Sequence, residues 1–65
     1  MTKVGDRIRL LQMDDPDALP AGATGKVTWI SGEGEWRQID VAWEPPHSHR
    51  TLSLVAVDKH EVITP

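Results

Sequence analysis

The chain has 65 residues, room for one domain with a modest core, because a chain this short buries only about 60% of the surface its unfolded form exposes. Cys, Phe and Tyr are absent, which excludes disulfide scaffolds and thiolate zinc sites and leaves the bulky apolar mass to Trp29, Trp36, Trp43 and the aliphatic residues. Seven Lys and Arg against ten Asp and Glu give a net charge of -3, which opposes attraction of the whole molecule to nucleic acid and leaves that role to a local basic patch.

Gly5-Asp6 is a turn signal, and Asp6 to Gln12 alternates, with Ile8 and Leu10 facing one way and Arg7 and Arg9 the other, the period of a half-buried strand. Leu11 and Met13 fall on the wrong parity, which predicts a bend or bulge where the strand curls. Asp14 to Gly25 is an ordered loop: Asp14 and Asp15 bond nearby backbone N–H groups, Pro16 and Pro20 stiffen the path, and Gly22 and Gly25 permit positive φ. Lys26 to Ile30 is the second strand, with Val27 and Trp29 on one face and Thr28 and Ile30 on the other. Ser31-Gly32-Glu33-Gly34-Glu35 connects it to a third, in which Ile39, Val41 and Trp43 alternate against Gln38, Asp40 and Ala42. Glu44-Pro45-Pro46-His47-Ser48-His49 breaks that strand, and Arg50 to Leu54 returns with Leu52 and Leu54 inward. Ala56 to Glu61 reads as one helical turn capped by Asp58, and Val62-Ile63 as a short closing strand. Short antiparallel strands at this spacing predict an all-β fold, a small SH3-like five-stranded barrel formed by residues 1–65 as a single domain.

Gly5-Asp6-Arg7-Ile8-Arg9-Leu10, Met13-Asp14-Asp15-Pro16, the Pro20-x-Gly22-x-x-Gly25 run, Val27, Val41-x-Trp43 and Thr51-Leu52-x-Leu54 together resemble a small uncharacterised bacterial and phage family of SH3-like domains. The resemblance runs from about Gly5 to Glu61 and implies the fold and a bacterial or phage setting, with no activity to carry over. The Ser31 to Trp36 and Glu44 to Arg50 loops look longer than that family's turns, and loops are where functions private to one protein reside. The pattern is similar, more distantly, to the plasmid-borne dihydrofolate reductase that assembles SH3-like barrels into a tetramer. Ser53-Leu54-Val55-Ala56 lacks the Gln and Tyr of that family's Val-Gln-Ile-Tyr stretch, so its activity is not implied. A resemblance to KOW-type transcription and ribosomal barrels lies around Gly22 to Ile30, although those domains are usually basic.

Candidate chemistry is sparse. His47 and His49 point the same way on an extended loop, but structural zinc normally takes four well-spaced ligands, and no metal site is expected. Ser48 has no orienting carboxylate beside its histidines, and nucleophile, base and oxyanion donors are not all present, so no catalytic residues and no cofactor are expected. Asp14-Asp15-Pro16-Asp17 lacks the ligand ladder of an EF-hand, and the glycines lack the Lys-Ser/Thr ending of a phosphate loop. Trp36 lies on the opposite parity from Ile39, Val41 and Trp43, which directs it outward beside Arg37 to stack on a base or grip a peptide, or else to fold over the barrel end or pack in a homodimer.

The reading is a non-catalytic module that binds a protein partner or its own copy, using Trp36, Arg37 and the loop carrying Asp14 and Asp15. The alternative is nucleic-acid binding through Arg7, Arg9, Arg37 and Trp36, and a third is a small enzyme acting as an oligomer. No apolar stretch reaches the roughly 20 residues of a membrane span and no secretory h-region is evident, so the expectation is a cytoplasmic protein with no membrane partner and no small-molecule substrate.

Overall fold

The alternation of Ile8 and Leu10 against Arg7 and Arg9 builds the first strand, β1 (Arg7–Gln12), in the computed structural model, which describes residues 2–64. Four more strands follow, β2 (Thr24–Ser31), β3 (Gln38–Trp43), β4 (Ser53–Leu54) and β5 (Lys59–Thr64), with one 3-10 turn, Gly34–Trp36, between β2 and β3. All pairings are antiparallel and the sheet order is β4-β3-β2-β1-β5. Leu54 on β4 and Ile8 and Leu10 on β1 belong to one buried cluster, although three strand spacings, about 14 Å in a flat sheet, separate those strands. The sheet therefore curves around its core. No pairing joins β4 to β5 among the described residues, so the sheet does not close into the expected barrel.

The core is the inward face of β1, β2 and β3 together with Leu54 and, from the first loop, Leu19 and Ala23. β3 follows the sequence pattern throughout, with Ile39, Val41 and Trp43 buried. Trp43 is 4% exposed, and its indole Nε1–H donates to the Leu52 carbonyl at 2.9 Å, so the polar tip of a buried ring is satisfied. Gly25 is where β2 crowds β3: a Cβ there would lie 2.6 Å from Val41 Cγ1 and 2.8 Å from the Ala42 carbonyl oxygen. The predicted irregularity after Leu10 is present as a register shift between Leu10 and Gln12 that leaves Leu11 exposed and lets Met13 pack on the core.

Three expectations are corrected. Val27 and Trp29 do not share a face: β2 carries a bulge at Thr28, so that Val27 pairs with Val41 while Trp29 pairs with Asp40. One extra residue reverses the parity. Ile30 then packs against the core, and Trp29 stands on the outer face, 63% exposed. Ala56 to Glu61 forms no helical turn; Asp58 closes a tight turn by accepting from the Val55 N–H at 2.9 Å, and the chain enters β5 at Lys59. β5 is thus a six-residue strand rather than the short Val62-Ile63 segment, because β1 offers it a full-length ladder.

A candidate recognition groove at the open edge

The six residues singled out by sequence fall into three separate places. Arg7 and Arg9 sit on the outer face of β1, each already answered by a carboxylate. The Arg7 guanidinium donates from Nε and Nη2 to Glu44 Oε2 and Oε1 at 2.7 and 2.8 Å, and Arg9 Nη1 donates to Glu61 Oε1 at 2.7 Å. The Arg7 hydrogen bond, aided by one from Thr24 Oγ1, holds the Glu44 carboxyl at about 2, and Glu44 in turn raises Arg7. The basic patch that nucleic-acid binding through these two arginines requires is therefore neutralised locally.

Asp14 and Asp15 order their own loop. The Asp15 carboxylate accepts from the Asp17 N–H at 2.8 Å, and the Asp14 N–H donates to Asp58 Oδ1 at 3.0 Å, tying this loop to the turn before β5. Arg50 adds a guanidinium bond to the Asp17 carbonyl. The Asp15 carboxylate thus acts as a turn residue, whereas Asp14 takes part through its backbone N–H and not, as expected, through its carboxylate.

Trp36 and Arg37 remain together at the start of β3. The 3-10 turn is closed by Trp36 N–H to the Glu33 carbonyl at 2.9 Å and Arg37 N–H to the Gly34 carbonyl at 3.2 Å. Gly32, at φ +74, makes that turn possible, since a Cβ would lie 2.1 Å from the Trp36 carbonyl oxygen. Trp36 is left 84% exposed. Arg37 is half-buried and donates to the Thr2 carbonyl at a long 3.4 Å; among the described residues no carboxylate pairs with it.

Gly34 and Arg37 also line a cavity of about 200 Å³, whose other walls include Ile39, Leu54, Val55, Asp58 and His60. It lies at the gap that β4 and β5 leave open. His60 pairs with Leu10 across β1 and β5, and Val62 with Ile8, which places both on the core side of the sheet. Val62 is nevertheless 41% exposed, because no strand covers this edge. His60 Nε2 lies 2.6 Å from Thr2 Oγ1, and burial, with the Arg37 charge as a lesser cause, pushes its pKa below the ordinary 6.5. Asp58 brings a negative charge to the cavity lining, but its two oxygens accept the Asp14 and Val55 N–H groups and no salt bridge joins it to Arg37 among the described residues.

A second, shallower cleft of about 420 Å³ runs along β3 and the segment before β4, lined by Gln38, Asp40, Val41 and Arg50 to Ser53. Ser53 Oγ and Gln38 Nε2 both donate to Asp40 Oδ1, which lowers the Asp40 carboxyl. His47 and His49 stay in the turn after β3, and no three His, Cys, Asp or Glu side chains among the described residues are grouped to hold a metal ion.

Of the residues singled out from sequence, Arg37 lines the groove and Trp36 precedes it in the chain, whereas Leu54, Val55, Asp58 and His60, which complete the lining, were not among them. His60 could have been found from β1 only by knowing that β5 starts at Lys59, and the exposure of Trp29 only by knowing of the bulge.

Fold and site together define a small all-β module with a groove of mixed aliphatic and charged lining beside an exposed tryptophan, and with an arginine that has no carboxylate partner among the described residues. No family model matches the chain, and no solved structure matches it. It is 41% identical over 64 residues to a probable DNA ligase of Mycobacterium avium (strain 104), a stretch that takes in 89% of this chain. The chain spans only 12% of that ligase's length. No helix of the structure is long and apolar enough to cross a membrane.

Proposed function

We propose that this chain is a non-catalytic, SH3-like recognition module that binds a protein partner, or a second copy of itself, at the face carrying Trp36 and the groove beside it. The observation that carries this reading is the concentration of unused binding capacity on one side. Arg37 and the aliphatic walls supplied by Ile39, Leu54 and Val55 line one cavity, Trp36 next to Arg37 in the chain is exposed, and Val57 in the adjoining turn is exposed as well. Interfaces draw on Trp and Arg, which combine large contact area with directional polar contacts. Open sheet edges add main-chain donors and acceptors for a partner strand.

A similar stretch inside a probable DNA ligase favours a second reading, an accessory element that touches nucleic acid. Pairing of Arg7 with Glu44 and of Arg9 with Glu61, with a net charge of -3, weighs against it. The two separate in a backbone amide titration with short single- and double-stranded oligonucleotides at low salt, repeated at raised salt, alongside sedimentation velocity for self-association. The protein-binding reading predicts no localised shifts with either oligonucleotide. Localised shifts around Trp36 and Arg37 that fade as salt rises would replace it with nucleic-acid binding, because counterion release scales with the phosphates contacted.

A further inference from the structure

We propose that the groove takes a short peptide segment in which an acidic residue adjoins aliphatic ones, its carboxylate received by Arg37 and its aliphatic side chains laid on Ile39, Leu54 and Val55. This rests on the protein-binding reading and names the partner's chemistry. Of the four arginines, Arg7 is paired with Glu44 and Arg9 with Glu61, while Arg37 and Arg50 have no carboxylate partner among the described residues and each donates to one backbone carbonyl, of Thr2 and of Asp17. Of these two, Arg37 lines the groove, half-buried, and its bond to Thr2 is a long 3.4 Å. A guanidinium has five donors arranged to take a carboxylate in a bidentate grip, and most of those on Arg37 are unspent.

The anion closest to hand makes no salt bridge to it among the described residues. Asp58 lines the same cavity, but its two oxygens accept from the Asp14 and Val55 N–H groups and hold the turn. Glu33 and Glu35 flank Gly34 in the chain but do not line the cavity. Arg37 and Asp58 balance formally, but the guanidinium keeps hydrogen-bonding capacity beside the aliphatic walls of Ile39, Leu54 and Val55, an arrangement suited to a carboxylate next to aliphatic side chains. Its size agrees: about 200 Å³ accommodates one or two aliphatic side chains and excludes a folded element. Apolar contact supplies affinity, and the ion pair sets register and partner choice.

The test is panning of a random nonapeptide display library on the intact chain and on the Arg37→Glu variant, with the selected peptides then measured by amide chemical-shift titration. Peptides enriched on the wild type should carry Asp or Glu next to two or more aliphatic residues, and they should shift the amides of Arg37, Ile39 and Leu54 to His60. Arg37→Glu should lose that acidic preference, and Arg37→Gln should weaken a selected peptide about tenfold, the loss of one partly shielded charge-assisted contact. A Val55→Ala variant, exposed enough to fold normally, should weaken the same peptide while leaving its acidic preference intact. Enriched peptides without an acidic preference, or shifts confined to another face, would overturn the acidic-peptide assignment and leave a protein-binding module standing. No enrichment above a blank surface, together with a monomer in sedimentation, would overturn both readings.

Discussion

Truncating Trp43 tests the register on which the whole site depends. Its ring is 4% exposed in the centre of the core, and its Nε1–H is bonded to the Leu52 carbonyl at 2.9 Å. Removing a buried Trp side chain costs about 3 to 5 kcal/mol through lost transfer energy and the cavity left behind, and the orphaned Leu52 carbonyl adds about 1 kcal/mol. A 65-residue domain at ~0.05 to 0.15 kcal/mol per residue holds only ~3 to 10 kcal/mol in total, so Trp43→Ala should remove a large share of the stability, and all of it at the lower end of that range. Trp43→Phe keeps most of the ring, loses the hydrogen bond and should cost about 1 to 2 kcal/mol. With a urea slope near 1 kcal/mol per molar for a chain this small, that moves the midpoint down by about 1 to 2 M. Trp36→Ala is the control: an 84% exposed ring should leave the midpoint within about 1 M. Urea titration followed by far-ultraviolet circular dichroism measures all three without relying on tryptophan emission. A wild-type midpoint for Trp43→Ala, or a collapse caused by Trp36→Ala, would show that β3 runs in the opposite register and would remove the exposed face from the argument.

The remaining expectations concern the turns and the outer face. Gly32→Ala should destabilise by about 1 to 3 kcal/mol and change Trp36 emission, because a Cβ lies 2.1 Å from the Trp36 carbonyl oxygen at φ +74; an unchanged urea midpoint would refute the tight turn. Asp58→Ala should cost about 2 kcal/mol and speed hydrogen exchange at the Asp14 and Val55 amides, whose acceptor it removes; unaltered exchange there would refute the link between the first loop and the β5 turn. Glu44, depressed from an ordinary 4.5 to about 2, favours the folded state above pH 4.5, and that contribution disappears as pH falls from 4.5 through 2. Carboxyl chemical shifts should therefore show Glu44 titrating near 2, and Arg7→Gln should move it back toward 4.5. His60 is likewise depressed, by burial first and by Arg37 second, so the neutral ring stabilises the fold above its ordinary 6.5 and the benefit shrinks as pH falls below it. Ring-proton titration should give a midpoint under 6.5 that rises in Arg37→Gln; a midpoint that does not respond would refute the proximity of the two groups.

Local pattern alone settled the elements that alternate cleanly. In β1 up to Leu10 and throughout β3 the large apolar residues recur at every second position, so burying Ile8, Leu10, Ile39, Val41 and Trp43 leaves one orientation for each strand, and the structure adopts it. The irregularity after Leu10 was legible for the same reason, as a break in a clear period. Trp36 could be directed outward because it shares the opposite parity to the β3 core residues.

Pairing partners decided the rest. In β2 every candidate register buries some apolar side chain, so only alignment against Val41 and Asp40 revealed the bulge at Thr28 and sent Trp29 to solvent. Asp58 looked like a helix cap because that residue type serves helix starts and turns alike; proximity to Asp14, 44 positions away, chose the turn. The pairing of the arginines was not legible in sequence: the fold brings Glu44 to Arg7 and Glu61 to Arg9, and backbone carbonyls of Asp17 and Thr2 to Arg50 and Arg37. The groove itself exists because a two-residue β4 and the turn after it keep the sheet edges apart, a long-range property that no local run of residues encodes.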